Sequence, residues 1–575
     1  MRAIAEEAAA LVRKFKGAYS GEHGDGLCRS EWIEWQFGPS LYEAFRAIKR
    51  EFDPLGLFNP GKIIDPPRMD DAALFRHAPP SSPRPYRTVA LEPVLDWSAW
   101  NVQSDPLTEA TTAPGSGGDN TGGFAKAVEM CNNNGHCRKF DAGTMCPSYQ
   151  VTRDEGHVTR GRANTLRLAV TGQLGPDAFT SDEMAETMKL CVSCKACRRE
   201  CPTGVDMARM KIEVQAARAA KHGLSLHSRL VGYLPRYAPV AARLAWLFNL
   251  RDVLPGAAAL SERIAGFSAR RTLPRWRSDW FRDPRSSPSP LAGEGRGGGS
   301  RSFGAAAPQS PTPTPGPSLQ GVGEQMHRDV VLLADTFNRY FEPENLHAAV
   351  TVLRAGGYRV QVATPSDGSS RPLCCGRTFL AVGRTDEARR EAERTIAALA
   401  PWAERGVPIV GLEPSCLFSF RDEIPAMMRD KRAASIADRA VLFEEFLARE
   451  AAAGRLDLPL RPPDEPVFLH GHCHQKAFGA MGAVEATLRL LPGVKLETIE
   501  SSCCGMAGSF GYHAETIDVS IAMGELSLLP AVRKAPDDAI IVADGTSCRH
   551  QIKDGTGREA IHVARVLAMS IGACR

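Results

Sequence analysis

The chain has 575 residues, of which 43% are apolar and 24% charged. This length predicts about four domains and excludes a single small module. Basic residues (70) nearly balance acidic residues (66), giving a net charge of +4, which argues against a general nucleic-acid binder.

The chain begins with MRAIAEEAAALVRKFKG, which predicts an amphipathic helix. This segment carries acids as well as bases and lacks the apolar core and cleavage site of a signal peptide. The sequence has no apolar run of the length, about 18 residues, that predicts a membrane span. We therefore expect a cytoplasmic protein, with any membrane contact peripheral and at the inner face of the membrane.

Residues 1–65 predict a helix, a glycine turn and a second helix. Ser40 and Glu43 form a capping box before LYEAFRAIKREF, and Asp53-Pro54 is expected to end that helix. Residues 66–125 are rich in Pro, Ser, Gly and Thr, which is typical of a connector.

The most informative feature is the distribution of the 16 cysteines. Within residues 126–222, the run Cys191-x2-Cys194-x2-Cys197-x3-Cys201-Pro202 has the spacing of a bacterial-ferredoxin loop. In such a loop three thiolates bind one iron–sulfur cluster and the fourth reaches a second cluster. A zinc site is the alternative, although zinc sites more often use CxxC pairs that lie further apart.

A second motif of the same kind is present in altered form, as Cys131-x2-Asn134-x2-Cys137-x8-Cys146-Pro147. If each motif gives its fourth cysteine to the cluster of the other motif, one 4Fe-4S cluster is bound by Cys191, Cys194, Cys197 and Cys146. The other cluster has three thiolates, on Cys131, Cys137 and Cys201. Because the amide of Asn134 is a poor iron ligand, this second cluster is expected to be three-iron, or four-iron with a labile site. The alternative is that Asn134 marks a lost cluster.

Residues 223–282 are rich in arginine and aromatic residues, which predicts a basic helical segment. It is expected either to wrap the preceding domain or to contact a membrane surface or an acidic partner. Residues 283–325 are dominated by Pro, Gly and Ser and predict a disordered linker.

Two repeats follow the linker, at 326–450 and 460–575. VVLLADT matches VFLHGHC, RPLCCG matches ESSCCG, and IVGLEPSC matches IVADGTSC. Strand-like runs alternate with helical patterns, which predicts an α/β structure with the cysteines just beyond the strands, where open α/β sheets place ligands.

The two repeats differ in their candidate metal ligands. The second offers Cys473, Cys503, Cys504 and Cys548, enough for a further cluster. The first offers Cys374, Cys375 and Cys416, with Thr336 at the position of Cys473. Three histidines lie near these cysteines in the sequence: His472, His474 and His513. Histidines in such loops more often make structural hydrogen bonds than bind a metal.

Three stretches resemble known proteins. GEHGDGLCRSEWIEWQFGPSLYEAFRAIKREFDPLGLFNPGKI resembles the C-terminal end of FAD-linked oxidases of the glycolate oxidase, D-lactate dehydrogenase and D-2-hydroxyglutarate dehydrogenase group. Residues 131–222 are similar to the ferredoxin portion of fused members of that group. The CCG repeats resemble the cysteine-rich domains of heterodisulfide reductase and of glycolate oxidase iron–sulfur subunits, but neither ends in the CxxC usual in heterodisulfide reductase.

The resemblance implies an α+β and α/β multidomain chain. Its parts are a C-terminal fragment of an FAD-linked oxidase domain, an all-α two-cluster ferredoxin module and tandem CCG cysteine-rich α/β repeats. By the same resemblance Glu22 is a metal or substrate ligand, and His23 handles the proton of the substrate hydroxyl. Asn59 and Lys62 lie near the flavin.

The family's FAD-binding domain is expected before residue 1. The resemblance therefore implies a truncated reading frame or the downstream half of a split gene, without tightly bound FAD. The expected partner is an FAD-domain polypeptide, the missing N-terminal half of the enzyme.

The predicted function is that of the iron–sulfur electron-transfer portion of an oxidoreductase acting on CH–OH groups. This flavin-dependent D-2-hydroxy-acid dehydrogenase would pass electrons from FAD through 4Fe-4S clusters to a quinone or another acceptor. D-lactate, glycolate and D-2-hydroxyglutarate stay open as substrates. The alternatives are a stand-alone, non-catalytic iron–sulfur subunit that binds a separate flavoprotein and a zinc-bound scaffold.

Overall fold

The computed structural model describes residues 2–71, 88–100, 121–140, 143–283 and 328–571. They form two units. The first unit contains residues 2–71, 88–90, 98–100 and 121–123, and the second contains residues 91–97, 124–140, 143–283 and 328–571. Nearly all of the predicted linker at 283–325 and much of the predicted connector at 66–125 lie outside the described residues.

The first unit is helical where it has regular structure. Its helices are α1 (Arg2–Lys14), α2 (Gly26–Arg29), α3 (Ile33–Phe37) and α4 (Pro39–Phe52). The prediction that Ser40 caps α4 is wrong, because the helix begins at Pro39. A proline at the first helical position has no N–H to leave unpaired and already has a helical φ. Glu43 pairs with Arg46 at 2.8 Å instead.

Asp53 ends α4 and organises the loop that follows. Its carboxylate accepts hydrogen bonds from the backbone N–H groups of Leu57 (2.8 Å) and Phe58 (2.9 Å). Lys49 donates to the same carboxylate at 2.5 Å. One buried side chain therefore fixes the turn that leads into the NPGK sequence.

The cysteine-dense segment forms a helical module at the start of the second unit. Its helices are α5 (Phe124–Glu129), α6 (Pro147–Thr152), α7 (Thr159–Val170), α8 (Asp182–Lys189), α9 (Ala196–Glu200) and α10 (Met207–His222). Part of the predicted connector packs on it, because Glu213 of α10 accepts hydrogen bonds from the backbone of Val94 and Leu95 and from the indole of Trp97 at 2.8–3.0 Å.

The basic segment is helical only as far as Ala265. Its helices are α11 (Leu226–Gly232), α12 (Leu234–Arg243), α13 (Ala245–Phe248) and α14 (Ala257–Ala265). The prediction of helix up to residue 282 is wrong beyond this point, because Gly266 adopts a left-handed conformation (φ 72°) that ends α14.

The basic segment wraps the cysteine-rich repeats. Arg236 pairs with Glu387, and Arg277 pairs with Glu344 at 3.1 Å. Arg271 donates to Gln551 at 2.6 Å. Many of its arginines are thus engaged by the folded protein.

The first repeat contains a parallel sheet in the order β2-β1-β3-β4. Its strands are β1 (Arg328–Leu333), β2 (Tyr358–Val362), β3 (Ile409–Gly411) and β4 (Ala440–Leu442). The helices are α15 (Thr336–Tyr340), α16 (Pro343–Ala355), α17 (Arg377–Ala381), α18 (Thr385–Glu404), α19 (Pro414–Leu417), α20 (Glu423–Met428), α21 (Lys431–Arg439) and α22 (Phe443–Ala452).

The second repeat has a parallel sheet of the corresponding order, β6-β5-β7-β8. Its strands are β5 (Val467–Leu469), β6 (Leu496–Thr498), β7 (Ile540–Val542) and β8 (Ala560–Ile561). The helices are α23 (Cys473–Ala477), α24 (Met481–Leu488), α25 (Ile517–Glu525), α26 (Leu528–Lys534), α27 (Thr546–Thr556) and α28 (Val563–Ser570). The corresponding strand orders confirm the predicted tandem α/β repeats.

The two repeats share one apolar core. Helix α16 packs on α28 and α22 packs on α24, and the core joins Val330 and Leu332 of the first sheet to Val467 and Leu469 of the second. The cysteines follow the carboxyl ends of the strands, as predicted. Among the described helices, none has the length and apolar character needed to cross a bilayer.

Candidate metal centres

Four cysteines line one cavity in the helical module, and we call this set site A: Cys146, Cys191, Cys194 and Cys197. The space between them, counted together with the solvent at its opening, is about 330 Å³. Burial raises the pKa of Cys146 to about 11 and those of Cys194 and Cys197 well above the ordinary value. In the metal-free chain these groups are neutral thiols, and a bound cationic centre favours their thiolate forms.

The walls of site A supply hydrogen bonds and positive charge. The Oγ1 atom of Thr159 lies 3.1 Å from Sγ of Cys146. The guanidinium of Arg162 is buried and lowers the pKa of Cys146 against the effect of burial. Lys211 donates to the backbone carbonyl of Cys191 at 2.5 Å. Four soft sulfur donors in a cationic, enclosed pocket fit an iron–sulfur cluster.

The remaining three cysteines of this module form site B: Cys131, Cys137 and Cys201. Burial raises the pKa of Cys131, and the nearby Cys201 raises it further. Burial also raises the pKa of Cys137, with Cys131 adding to the effect. Cys131 and Cys201 are only partly buried, so site B lies nearer to solvent than site A.

The side-chain amide of Asn134 is engaged in hydrogen bonds within its own loop. The side chain is exposed, its Oδ1 accepts from the backbone N–H of His136 at 2.8 Å, and its Nδ2 donates to Oδ1 of Asn132 at 2.6 Å. Asn134 therefore shapes the loop, and site B offers three thiols.

The second repeat gathers its four cysteines into site C: Cys473, Cys503, Cys504 and Cys548. All four are buried. Neighbouring thiols hydrogen-bond to one another in the order given. Cys473 begins α23 and Cys548 lies in α27, while Cys503 and Cys504 follow β6. Three chain segments thus converge at one edge of the sheet.

The surroundings of site C favour thiolates at Cys473 and Cys504, whereas the pKa values of Cys503 and Cys548 lie well above the ordinary value because of their thiol neighbours and burial. The hydrogen bond from Cys503 and the nearby His472 and Lys476 lower the pKa of Cys473 to about 7. Hydrogen bonds from Cys503 and Cys548 lower the pKa of Cys504. Buried Lys476 donates to the carbonyl of Ser502 at 3.2 Å, which keeps its positive charge beside the thiols.

The three cysteines of the first repeat form site D: Cys374, Cys375 and Cys416. They are buried and hydrogen-bonded in series. A hydrogen bond from Cys375 lowers the pKa of Cys416, but burial and the carboxyl groups of Asp335 and Glu413 outweigh it and raise this pKa to about 12. Buried acids disfavour thiolates, so site D fits a metal less well than site C.

The three histidines noted in the sequence each contact other protein groups. His472 accepts from the backbone N–H of His474 at 3.1 Å and caps α23. His474 Nε2 lies 3.1 Å from the carbonyl oxygen of Ser193. The ring of His513 packs on that of His227 at 4.4 Å.

A fourth histidine, which the sequence reasoning missed, lies at site C. His470 is fully buried, and one of its ring nitrogens lies within 4.8 Å of the sulfurs of Cys504 and Cys548. The available clue was its position at the end of the predicted strand VFLHGHC.

The predicted catalytic residues lie in the first unit, in a turn before α2. Nε2 of His23 lies 3.1 Å from Oε1 of Glu22, and both side chains are 88% exposed. Asn59 and Lys62 lie in the loop that Asp53 organises, and Asn59 has a left-handed φ of 49°. The structure shows the Glu22–His23 pair as a solvent-facing element.

Comparison with known families matches three segments of the chain. Residues 1–63 match the C-terminal domain of FAD linked oxidases, residues 127–205 match a 4Fe-4S dicluster domain, and residues 467–553 match a cysteine-rich domain. The predicted resemblance and fold class are therefore confirmed.

Curated relatives give the same picture. D-2-hydroxyglutarate dehydrogenase of Pantoea ananatis is 26% identical over 99% of this chain and 52% of its own length. One subunit of the anaerobic glycerol-3-phosphate dehydrogenase of Escherichia coli is 29% identical over 43% of this chain and 60% of its own length. The probable glycolate oxidase iron-sulfur subunit of Bacillus subtilis is 24% identical over 74% of this chain and 91% of its own length.

The chain spans about half the length of the D-2-hydroxyglutarate dehydrogenases it matches. These relatives are oxidoreductases acting on CH–OH groups, the enzyme class predicted from the sequence.

Proposed function

We propose that the chain is the iron–sulfur electron-transfer portion of a flavin-dependent D-2-hydroxy-acid dehydrogenase. The relatives support an electron-transfer oxidoreductase. The proposed substrate is a D-2-hydroxy acid of the D-lactate, glycolate or D-2-hydroxyglutarate type. When bound, iron–sulfur clusters accept and release single electrons, whereas a flavin takes up two.

The observation that carries this proposal is the proximity of site A to site C. The charge of Cys473 in site C raises the pKa of Cys194 in site A more than any other charged group does. Helix α9 of the helical module packs on α23 of the second repeat, and Ser502 donates to the carbonyl of Thr144 at 2.9 Å. An electron at site A therefore has a second cysteine site as its neighbour.

The surface of the first unit supports a flavoprotein partner. Its apolar residues include Phe52 (79% exposed), Phe58 (70%) and Phe15 (74%). Large apolar side chains that are this exposed are common at interfaces. We propose that the FAD-binding polypeptide covers it and brings flavin and substrate to Glu22 and His23, with His23 taking the proton of the substrate hydroxyl.

A stand-alone iron–sulfur subunit is the second candidate function. The Bacillus subtilis relative, an iron–sulfur subunit by name, matches over 91% of its own length. Against a simple subunit stands the match of residues 1–63 to the C-terminal domain of FAD linked oxidases, because a pure electron carrier has no use for Glu22 and His23.

Metal and flavin analysis of the anaerobically purified chain tests the proposal. We expect iron and acid-labile sulfide with broad visible absorbance that bleaches on reduction, and no stoichiometric FAD. Zinc in place of iron would overturn the electron-transfer function. Stoichiometric FAD would overturn the separate flavoprotein partner.

The role of His23 is tested in the complex reconstituted with an FAD-binding polypeptide. His23→Gln is expected to slow flavin reduction by the 2-hydroxy acid by roughly 10²–10⁴-fold, the usual contribution of a general base. Assembly of the complex is expected to stay unchanged. Full activity of the variant would remove His23 from the mechanism.

We further propose that the basic segment makes the peripheral membrane contact through α13, α14 and the turn between them. Exposed apolar side chains cover this region: Trp246, Leu247, Phe248, Val253, Leu254 and Ile264. Arg243 and Arg263 are exposed beside them, whereas Asp252 and Glu262 accept hydrogen bonds from the backbone at 2.9 and 2.6 Å. Apolar groups with exposed arginines suit an anionic bilayer surface, where a quinone acceptor is found.

Vesicle sedimentation tests this contact. The chain is expected to bind vesicles of anionic phosphatidylglycerol more strongly than those of phosphatidylcholine, and Trp246→Glu with Val253→Glu is expected to abolish binding. Leu174→Glu, at an exposed site of the helical module, serves as the matched control. Equal behaviour of the two variants would contradict the proposal.

A further inference from the structure

His470 has a buried ring nitrogen that faces the thiols of site C. The residue is 0% exposed, and no nitrogen or oxygen atom in the described part of the chain pairs with Nε2. The sulfurs of Cys504 and Cys548 lie within 4.8 Å of a ring nitrogen, and the side chains of His470 and Cys504 are hydrogen-bonded neighbours.

The second ring nitrogen is held by Ser501. Nδ1 of His470 lies 2.8 Å from Oγ of Ser501. This hydroxyl donates to the carbonyl of Ile499 at 3.4 Å and accepts from Nζ of Lys476 at 3.3 Å. Ser501 therefore holds the imidazole in place through Nδ1, its closest partner among these three.

The contact with Ser501 occupies Nδ1 and leaves Nε2 as the nitrogen available to a metal, which would bind the neutral tautomer protonated on Nδ1. With the proton on Nδ1, Nε2 carries a bare lone pair beside two cysteine sulfurs. Metal-ligating histidines characteristically donate their other ring N–H to a neighbouring acceptor, which orients the ring and raises its basicity. Ser501 fills that role here.

The internal duplication gives an independent argument. Alignment of VVLLADT with VFLHGHC places Leu333 at the position of His470 and Thr336 at the position of Cys473. The repeat that lacks the cysteine thus also lacks the histidine. Both donors are present together in the second repeat and absent together from the first, as expected for two members of one ligand set.

We propose that Nε2 of His470 is a metal ligand at site C, together with the thiolates of Cys473, Cys504 and Cys548. This inference rests on the proposed function, in that site C holds an iron–sulfur cluster. A neutral imidazole in place of a thiolate makes a cluster less negative and raises its reduction potential, as in other mixed His–Cys centres. Site C is then the electron acceptor of the pair, and the all-thiolate site A is the donor.

Pulsed EPR on the reduced holoprotein tests the ligand directly. Protein labelled with ¹⁵N-histidine is expected to show a strong nitrogen coupling typical of a directly bound imidazole. The coupling is expected to vanish in His470→Ala and to persist in His472→Asn, which keeps a side-chain acceptor to cap α23. The measurement on the unmutated protein needs no variant to fold.

A second variant separates ligation from packing. His470→Cys supplies an anionic donor at the same place and is expected to lower the reduction potential of site C relative to the unmutated protein. An unchanged potential, or iron at site C without nitrogen coupling, would overturn the histidine ligand alone. If Cys504→Ser and Cys548→Ser leave the iron content and spectra unchanged, site C binds no cluster, and both this inference and the proposed role of site C fail.

Discussion

His474 Nε2 lies 3.1 Å from the carbonyl oxygen of Ser193, so that one hydrogen bond joins the second repeat to the cysteine loop of site A. Burial lowers the pKa of His474 well below its ordinary value. The imidazole is therefore neutral and donates from Nε2. Ser193 precedes Cys194, and His474 follows Cys473, so the bond fixes the spacing of sites A and C.

His474→Leu is expected to slow electron transfer between sites A and C and to lower the free energy of unfolding by about 1–3 kcal/mol, because the Ser193 carbonyl loses its buried partner. Rapid-mixing spectroscopy and chemical denaturation measure the two effects. His474→Gln, which keeps an N–H donor, is expected to recover much of both losses. Equal transfer rates in all three proteins would contradict a positioning role.

Lys195 ties the same loop to the first repeat. It is 1% exposed, contacts Asp422 and lies 2.5 Å from Glu423. Lys195→Met is expected to lower the free energy of unfolding by up to about 3 kcal/mol, because it removes the cation that two buried carboxylates share and leaves Asp422 with Arg198 and Glu423 with Arg377. Chemical denaturation of the anaerobic protein checks this value.

The matched control for Lys195 is Lys221→Met. Lys221 pairs with Asp177 at 2.5 Å on the surface, where such a pair contributes less than about 1 kcal/mol. If the two lysine variants lose similar amounts of unfolding free energy, the burial of Lys195 does not add to the stability of the protein.

Local patterns predicted the sheets and the cysteine sites. Short apolar runs followed by glycine and cysteine identified the central strands, and the loop spacing predicted the exchange that places Cys146 with Cys191, Cys194 and Cys197 around one cavity. Parallel strands bring their carboxyl ends to one edge, so convergence of the CCG cysteines followed from the repeat itself.

Contacts between distant segments were beyond the reach of such patterns. Lys195 and Asp422 are 227 residues apart, and no sequence periodicity pairs them. The role of His470 depends on Ser501, 31 residues away. The error at Ser40 was local instead, because proline at the first helical position competed successfully with the serine cap.

Exchange of the fourth cysteines makes a prediction about single substitutions. Cys146→Ser is expected to remove or alter the cluster of site A, and Cys201→Ser that of site B, because a serine oxygen is a harder and weaker ligand for iron. Iron content and EPR of the two variants distinguish the sites. Cys28→Ser, at an exposed cysteine of the first unit, is the control.

The outcome that would contradict the exchange is the reverse pattern. If Cys201 completed the set with Cys191, Cys194 and Cys197, its loss would abolish the spectrum of the enclosed cluster. The cavity lined by Cys146 and the proximity of Cys201 to Cys131 both oppose that arrangement.

A pair of histidines makes the docking of the basic segment sensitive to pH. The ring of His227 packs on those of Phe267 and His513, each at 4.4 Å. Burial, with a smaller effect of His513, lowers the pKa of His227 to about 4, against the opposing effects of the hydrogen bond to the Ala265 carbonyl and of Glu515. Below pH 6.5 the unfolded chain binds a proton that the folded chain excludes, so stability falls as the pH drops from 6.5 towards 4.

The expected contribution of His227 is a loss of about 2 kcal/mol between pH 7 and pH 5. His227→Phe keeps a ring in place but removes the titration, so its unfolding free energy is expected to fall less over this range than that of the unmutated protein. Denaturation curves at both pH values give the comparison. His222→Phe, at an exposed histidine of α10, should retain the full pH dependence; if His227→Phe retains it as well, the sensitivity arises elsewhere.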